Sequence, residues 1–159
     1  MKITILCVGK LKETYWQDAI KEYRKRLSRY VRLDIVEVAD EKTPDRASEK
    51  EEIQIRDKEG ARLLKHIQRE DYVVALAIKG LSFDSVSFAK KLENYGIQGK
   101  GNVVFVIGGS LGLSEEVLQR ADESVSFSEM TFPHQLMRVI LLEQIYRGYR
   151  IVTGAPYHK

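Results

Sequence analysis

The chain has 159 residues, of which 43% are hydrophobic and 31% charged, and a formal net charge of +3. That balance suits one globular domain spanning residues 1–159 and excludes a disordered segment, which would lack the apolar surface to offset chain entropy. No apolar run approaches the ~18 residues of a membrane span and no charged-then-apolar leader opens the chain, so a cytoplasmic protein is expected. The single Cys7 excludes an intrachain disulfide and a cysteine metal site.

Lys2–Val8 (KITILCV) is a short apolar run closed by Gly9-Lys10, and it predicts a buried strand. Lys12–Arg29 predicts a helix, because Tyr15, Trp16, Ala19, Ile20, Tyr23 and Leu27 recur at helical spacing while basic residues fill the other positions. Leu33–Val38 gives a second strand, and the breaker residues of Asp40–Asp45 give a loop. Ser48 and Glu51 have the spacing of a capping box, opening a charged helix toward Ile67. Its apolar positions, Ile53, Ala61, Leu64 and Ile67, are sparse enough to predict a solvent-facing helix.

Tyr72–Ile78 is the next buried strand, closed by Lys79-Gly80, and Ser85–Tyr95 is a helix stopped by Gly96 with Val86, Phe88, Ala89 and Leu92 inward. Val103–Ile107, a short acidic helix and Val125–Phe127 follow, and the loop Ser128–His134 leads into a long helix over Gln135–Tyr149 with Pro133 in its first turn. That helix is apolar nearly all round, so both of its sides are expected to be buried, the second by another subunit.

Strict alternation of strand and helix predicts an α/β fold, a mostly parallel sheet with helices on both faces and ligands beyond the carboxyl ends of the strands. Leu76, Gly108 and the Phe127–Phe132 loop all fall at that edge. The turn Gly108-Gly109-Ser110-Leu111-Gly112 lets another molecule approach the backbone. It lacks both the G-x-G-x-x-G spacing and the Lys-Ser/Thr of a P-loop, which argues against a nucleotide triphosphate. A tight strand-to-helix turn with no ligand is equally compatible with those glycines.

Charge is unevenly spread. Residues 10–32 hold eight Lys or Arg against three acids, residues 133–159 hold four against one, and residues 103–132 hold one against five. A polyanion would be met by the two ends of the chain.

Three segments together resemble the ribosomal RNA large-subunit methyltransferase H family, and the likeness spans all 159 residues. They are the Ile107-Gly108-Gly109-Ser110-x-Gly112 turn, the run from Ser126-Phe127-Ser128 through Met130-Thr131-Phe132-Pro133-His134-Gln135 to Met137-Arg138, and the terminal Tyr157-His158-Lys159. The resemblance implies a homodimeric SPOUT-class enzyme with a C-terminal trefoil knot. It further implies S-adenosyl-L-methionine as methyl donor, N3 of a pseudouridine in 23S rRNA as acceptor, the 50S or 70S ribosome as partner, and no metal, membrane or DNA. The family's cofactor contacts correspond to Leu76, Gly108, Phe127, Ser128, Glu129, Met130, Thr131 and Phe132. Leu111 stands where the family has a smaller or polar residue and is not counted as a contact.

Methyl transfer demands in-line placement and removal of the acceptor's imide proton, so His134, His158 and Arg138 are the catalytic candidates. Lys10, Lys12, Arg24, Arg147 and Arg150 are expected on RNA phosphates. Tyr157, His158 and Lys159 are expected to fold over the partner subunit's site and hold RNA. Two rivals remain: a non-catalytic RNA- or ribosome-binding protein of the same knotted fold, against which the intact loops argue, and a flavodoxin-like domain, against which the glycine spacing argues. Binding of S-adenosylmethionine rather than flavin or NAD separates them.

Overall fold

Successive residues of a strand point to opposite sides of a sheet, and in Lys2–Val8 and Asn102–Ile107 both sides are apolar, so neither face can meet water. The computed structural model, which describes residues 1–159, resolves this with helices on both faces. The strands are β1 (Lys2–Val8), β2 (Arg32–Val38), β3 (Tyr72–Ser82), β4 (Asn102–Ile107) and β5 (Glu123–Ser126), all paired in parallel in the order β2-β1-β4-β3-β5. The helices are α1 (Thr14–Leu27), α2 (Glu49–Leu64), α3 (Ser85–Ile97), α4 (Glu115–Arg120) and α5 (His134–Val152).

The two faces are unequal. Ile3, Ile5, Cys7, Val103, Phe105 and Ile107 pack under α1, α3 and α5, whose buried contributors include Leu27, Phe88, Leu92, Leu141, Leu142 and Ile145. Leu6, Val8, Val104 and Val106 face the thinner layer, which Leu63 of α2 and Val117 of α4 complete. Cys7 is fully buried, and burial pushes its thiol up to about 12 against the opposing pull of Arg138, so it carries no charge at neutral pH.

Three elements depart from the sequence expectation. Helix α3 runs through Gly96 to Ile97, and the chain reverses at Gly99, whose φ of +74° takes the left-handed turn instead. Strand β3 runs past Gly80 to Ser82, because a bulge lets it pair twice with β5: Leu76 and Leu81 both stand opposite Val125, and residues 77–80 loop out between them. Helix α2 is not simply solvent-facing. Its capping box forms as expected, with Ser48 accepting from the Glu51 N–H and Glu51 accepting from the Ser48 N–H. The face it buries, however, is Ile55, Glu59, Gly60 and Leu63, while Ile53 stays 43% exposed.

Gly60 explains how α2 comes so close. A Cβ there would stand 2.3 Å from Ser114 Oγ and 3.0 Å from Ser114 Cβ. Ser114 is itself buried and caps α4 through the Val117 N–H, so it has nowhere to retreat. Gly60→Ala is expected to cost about 1–3 kcal/mol by overpacking, seen as a lower urea midpoint with an unchanged slope.

Candidate active site

Because every strand runs the same way, the β3 bulge and the loops after β4 and β5 come together near one edge, where they meet the first turn of α5 around a cavity of about 1200 Å³. Leu76, where the β3 bulge starts, and Gly108, directly after β4, lie in its wall, together with Phe127, Ser128, Met130, Thr131 and Phe132 from the loop before α5. Glu129 of the same loop is exposed and stands outside the lining. Leu111, which the family pattern set aside, lies in the wall as well. Sequence reasoning missed Ile53 and Arg56 of α2 and Ala77–Lys79 of the β3 bulge. The first pair was hidden by the misjudged face of α2, the second by taking Lys79-Gly80 as the end of a strand.

The glycine turn is shaped by contact with itself. A Cβ on Gly108 would lie 2.6 Å from the Gly112 carbonyl carbon, so only glycine fits. Gly112 closes the turn by donating its N–H to the Gly109 carbonyl at 3.1 Å and takes φ +85°. Apolar walls beside bare backbone groups suit a nucleoside, whose ring needs flat apolar surface and whose edge needs N–H and C=O partners.

His134 lies in the cavity wall at the start of α5, its Nε2 3.6 Å from where a Gly9 Cβ would be. Burial lowers its pKa and the Arg138 charge lowers it further, against a smaller upward pull from Asp40, so the ring is neutral at neutral pH. Arg138, one turn on, is 1% exposed and is absent from the lining. Its Nη1 donates to Glu37 Oε2 at 2.5 Å, and its Nη2 to the carbonyls of Val8 (3.2 Å) and Gly9 (2.7 Å). Arg138 is thus placed to hold the backbone beside the cavity rather than to touch a substrate.

The tail lies on α5 of its own chain. The Tyr157 hydroxyl donates to Glu143 Oε1 at 3.1 Å, and the Arg147 guanidinium sits 4.7 Å from the Tyr157 ring centre. Arg147 also grips Glu143 through Nε and Nη2 and reaches His158 Nδ1 at 3.2 Å. Arg150 donates to the Tyr30 hydroxyl at 2.9 Å and the Pro156 carbonyl at 3.1 Å. His158 and Lys159 are exposed, and neither borders this chain's cavity, so His134 and His158 are not brought together around it. Lys10, Lys12 and Arg24 are exposed and free of ion pairs, unlike Arg147.

The family model described as "Predicted SPOUT methyltransferase" matches residues 1–158 and places this parallel α/β sheet in the SPOUT class of methyltransferases. A solved structure described as a probable methylase family protein from Haemophilus influenzae Rd KW20 shares the fold at TM-score 0.55 and 11% identity, covering 99% of this chain and 70% of that one. Proteins named "Ribosomal RNA large subunit methyltransferase H" are similar over their full lengths and all 159 residues here: 60% identical from Clostridium kluyveri and Clostridium novyi, and 59% from Clostridium tetani. The chain belongs to the ribosomal RNA large-subunit methyltransferase H family.

Replacing Arg138 by Met is expected to cost about 2–3 kcal/mol, since it strips the Val8 and Gly9 carbonyls of a charged donor and leaves Glu37 with the Leu11 N–H alone. Urea unfolding monitored by circular dichroism measures this.

Proposed function

We propose that this single-domain protein methylates N3 of a pseudouridine in 23S rRNA of the large ribosomal subunit, with S-adenosyl-L-methionine as donor. The observation that carries the reading is the convergence of the Leu76, Gly108 and Phe127–Phe132 segments on one cavity that also holds His134. The names carried by relatives as much as 60% identical support ribosomal RNA as substrate, and the absence of any helix long and apolar enough to cross a membrane accords with it.

Bound in this cavity, S-adenosylmethionine supplies an electrophilic methyl group. Leu76 and Phe127 would hold its base between apolar surfaces, and the Gly108–Gly112 backbone would read the polar edges. His134 takes the N3 proton: its buried ring is neutral at working pH and lies in the wall, as a general base requires. Arg138 keeps that ring in place by fixing Gly9 beneath it.

In this reading the protein is a homodimer whose paired α5 helices bring Tyr157, His158 and Lys159 to the partner's cavity, and the chain is threaded in the trefoil knot of its class. Lys10, Lys12 and Arg24 meet RNA phosphates, while a ribosomal loop presents its unpaired base without duplex opening.

The decisive experiment incubates 50S and 70S particles lacking the modification with the protein and S-adenosylmethionine and maps the product by mass spectrometry. One methyl on N3 of a single pseudouridine is expected, and no transfer to either particle refutes the proposal. Deleting Tyr157–Lys159 should abolish transfer while calorimetry still detects the donor. The pH profile of kcat/KM should fall on the acid side only below the ordinary histidine range, since His134 titrates lower than a free imidazole, and His134→Gln should remove that limb with about a 10²-fold or greater loss of rate.

A further inference from the structure

Helix α2 buries four residues; three are Ile55, Gly60 and Leu63, and the fourth is Glu59, only 4% exposed. Glu59 Oε2 accepts the backbone N–H of Glu41 at 3.0 Å, while Oε1, also buried, has no hydrogen-bond partner. Burial pushes this carboxyl above the usual carboxylate range; Asp40 and Glu41 add to the rise, and the Glu41 N–H and Arg62 oppose it. A buried carboxylate with one oxygen unpaired costs stability, and an apolar side chain of similar size would hold α2 to the sheet at least as well. Packing therefore gives no reason for a polar side chain here.

What the carboxylate touches does. A Cβ on Gly109 would stand 3.1 Å from Glu59 Oε1, 3.3 Å from Oε2 and 3.2 Å from Val8 Cγ1. Glu59 and Val8 thus form the floor beneath Gly109, whose other side faces the cavity. The bond from Glu41 ties that floor to the loop after β2, and Gly60 against Ser114 ties it to the start of α4.

We infer that Glu59 is a positioning residue for donor binding: from α2 it sets the height of the Gly108–Gly112 turn, so that the turn's backbone groups meet the donor. The inference rests on the reading of the cavity as an S-adenosylmethionine site. Glu59 is outside the cavity lining and acts only through Gly109. Its signature is a loss of donor affinity without loss of chemistry or of fold.

The test is calorimetric titration of S-adenosylmethionine into the wild-type protein and the variants Glu59→Ala, Glu59→Gln, Gly109→Ala and the double variant Glu59→Ala with Gly109→Ala, with steady-state kinetics and thermal melting alongside. Glu59→Ala should weaken binding by about tenfold or more and raise the donor KM equally, leaving kcat at saturating donor within about threefold. Glu59→Gln keeps the volume and an acceptor for the Glu41 N–H, so it should bind within about threefold of wild type and melt no lower. Gly109→Ala should weaken binding on its own but cost under about threefold more in the Glu59→Ala background, where the space for its methyl has been opened.

Donor affinity within about twofold of wild type in a folded Glu59→Ala protein overturns the inference. So does a Gln variant as weak as the Ala variant, which would make charge the determinant instead of position. Should Glu59→Ala fail to fold, Glu59→Asp decides, since it draws the carboxylate back from Gly109 by one methylene: unchanged affinity there overturns the inference, and a loss with kcat retained supports it. Wild-type protein that binds no S-adenosylmethionine removes the cavity reading and this inference together, an outcome distinct from normal binding that the variants leave unaltered.

Discussion

One buried guanidinium fixes the geometry of the whole carboxyl edge. Helix α5 begins at Pro133, which offers no side-chain cap, so its first turn must be held by something else. Arg138 holds it, reaching across to Glu37 at the end of β2 and to the carbonyls of Val8 and Gly9 where β1 runs out. A charge buried this deeply is tolerable only because three acceptors surround it, and even so its Nε is left unpaired. Residues four apart on a helix share a face, so fixing Arg138 also fixes His134, and the loop from Phe127 to Phe132 is suspended between that turn and the end of β5.

The inequality of the two sheet faces then divides the labour. The thick face of α1, α3 and α5 supplies most of the apolar burial and anchors the helix that carries His134. The thin face of α2 and α4 has few apolar residues to offer and makes contact through small ones, Gly60 on Ser114 and Gly109 on Glu59. Close approach of backbone replaces side-chain interlocking there. The glycine turn at the cavity is held by that thin layer, so the part of the molecule that packs least shapes one wall of the cavity. A second polar cluster sits away from this edge. Glu123 at the start of β5 accepts from the Tyr72 and Tyr95 hydroxyls and pairs with Lys91 at 2.7 Å. Burial opposes its ionisation, but Lys91 and the two phenols outweigh burial and hold it below the usual carboxylate range.

The alternation of elements was legible because β1, β3 and β4 are short apolar runs closed by a glycine or a loop, and α1 and α3 carry a helical stripe. Three of the cavity's walls were legible from the same logic, since parallel strands must end on one side. What local pattern does not contain is the identity of partners distant in sequence. Arg138 reads as a candidate for chemistry because a guanidinium can hold an oxygen or a phosphate; its partners Glu37, Val8 and Gly9 lie about a hundred residues or more away. Glu59 was lost among the charges of α2, for nothing in EKEEIQIRDKEG marks one carboxylate as the buried one. The β3 bulge was hidden because Lys79-Gly80 is ordinary turn chemistry, and only pairing with β5 carries the strand past it. The trefoil knot implied by the family likeness has no counterpart in periodicity at all.

The distribution of cations bears on how a polyanion would approach. Arg147 is committed to Glu143 and to the Tyr157 ring, and Arg150 to Tyr30 and the Pro156 carbonyl, so their guanidinium groups are spent on fastening the tail to α5. Lys10, Lys12 and Arg24 are exposed and carry no such partner, and Lys10 follows directly on Gly9, the residue beneath His134. An exposed charge acts over a screening length of roughly 8–10 Å, so a phosphate chain drawn to this segment is delivered at the rim nearest the imidazole. Of the five acids in residues 103–132 only Glu115 borders the cavity, and Arg56 and Lys79 border it too, so the acid-rich stretch does not make the opposite rim a negative wall. The direction a polyanion would take is therefore set by the unpaired cations at the Gly9 end alone, and that end leads to His134.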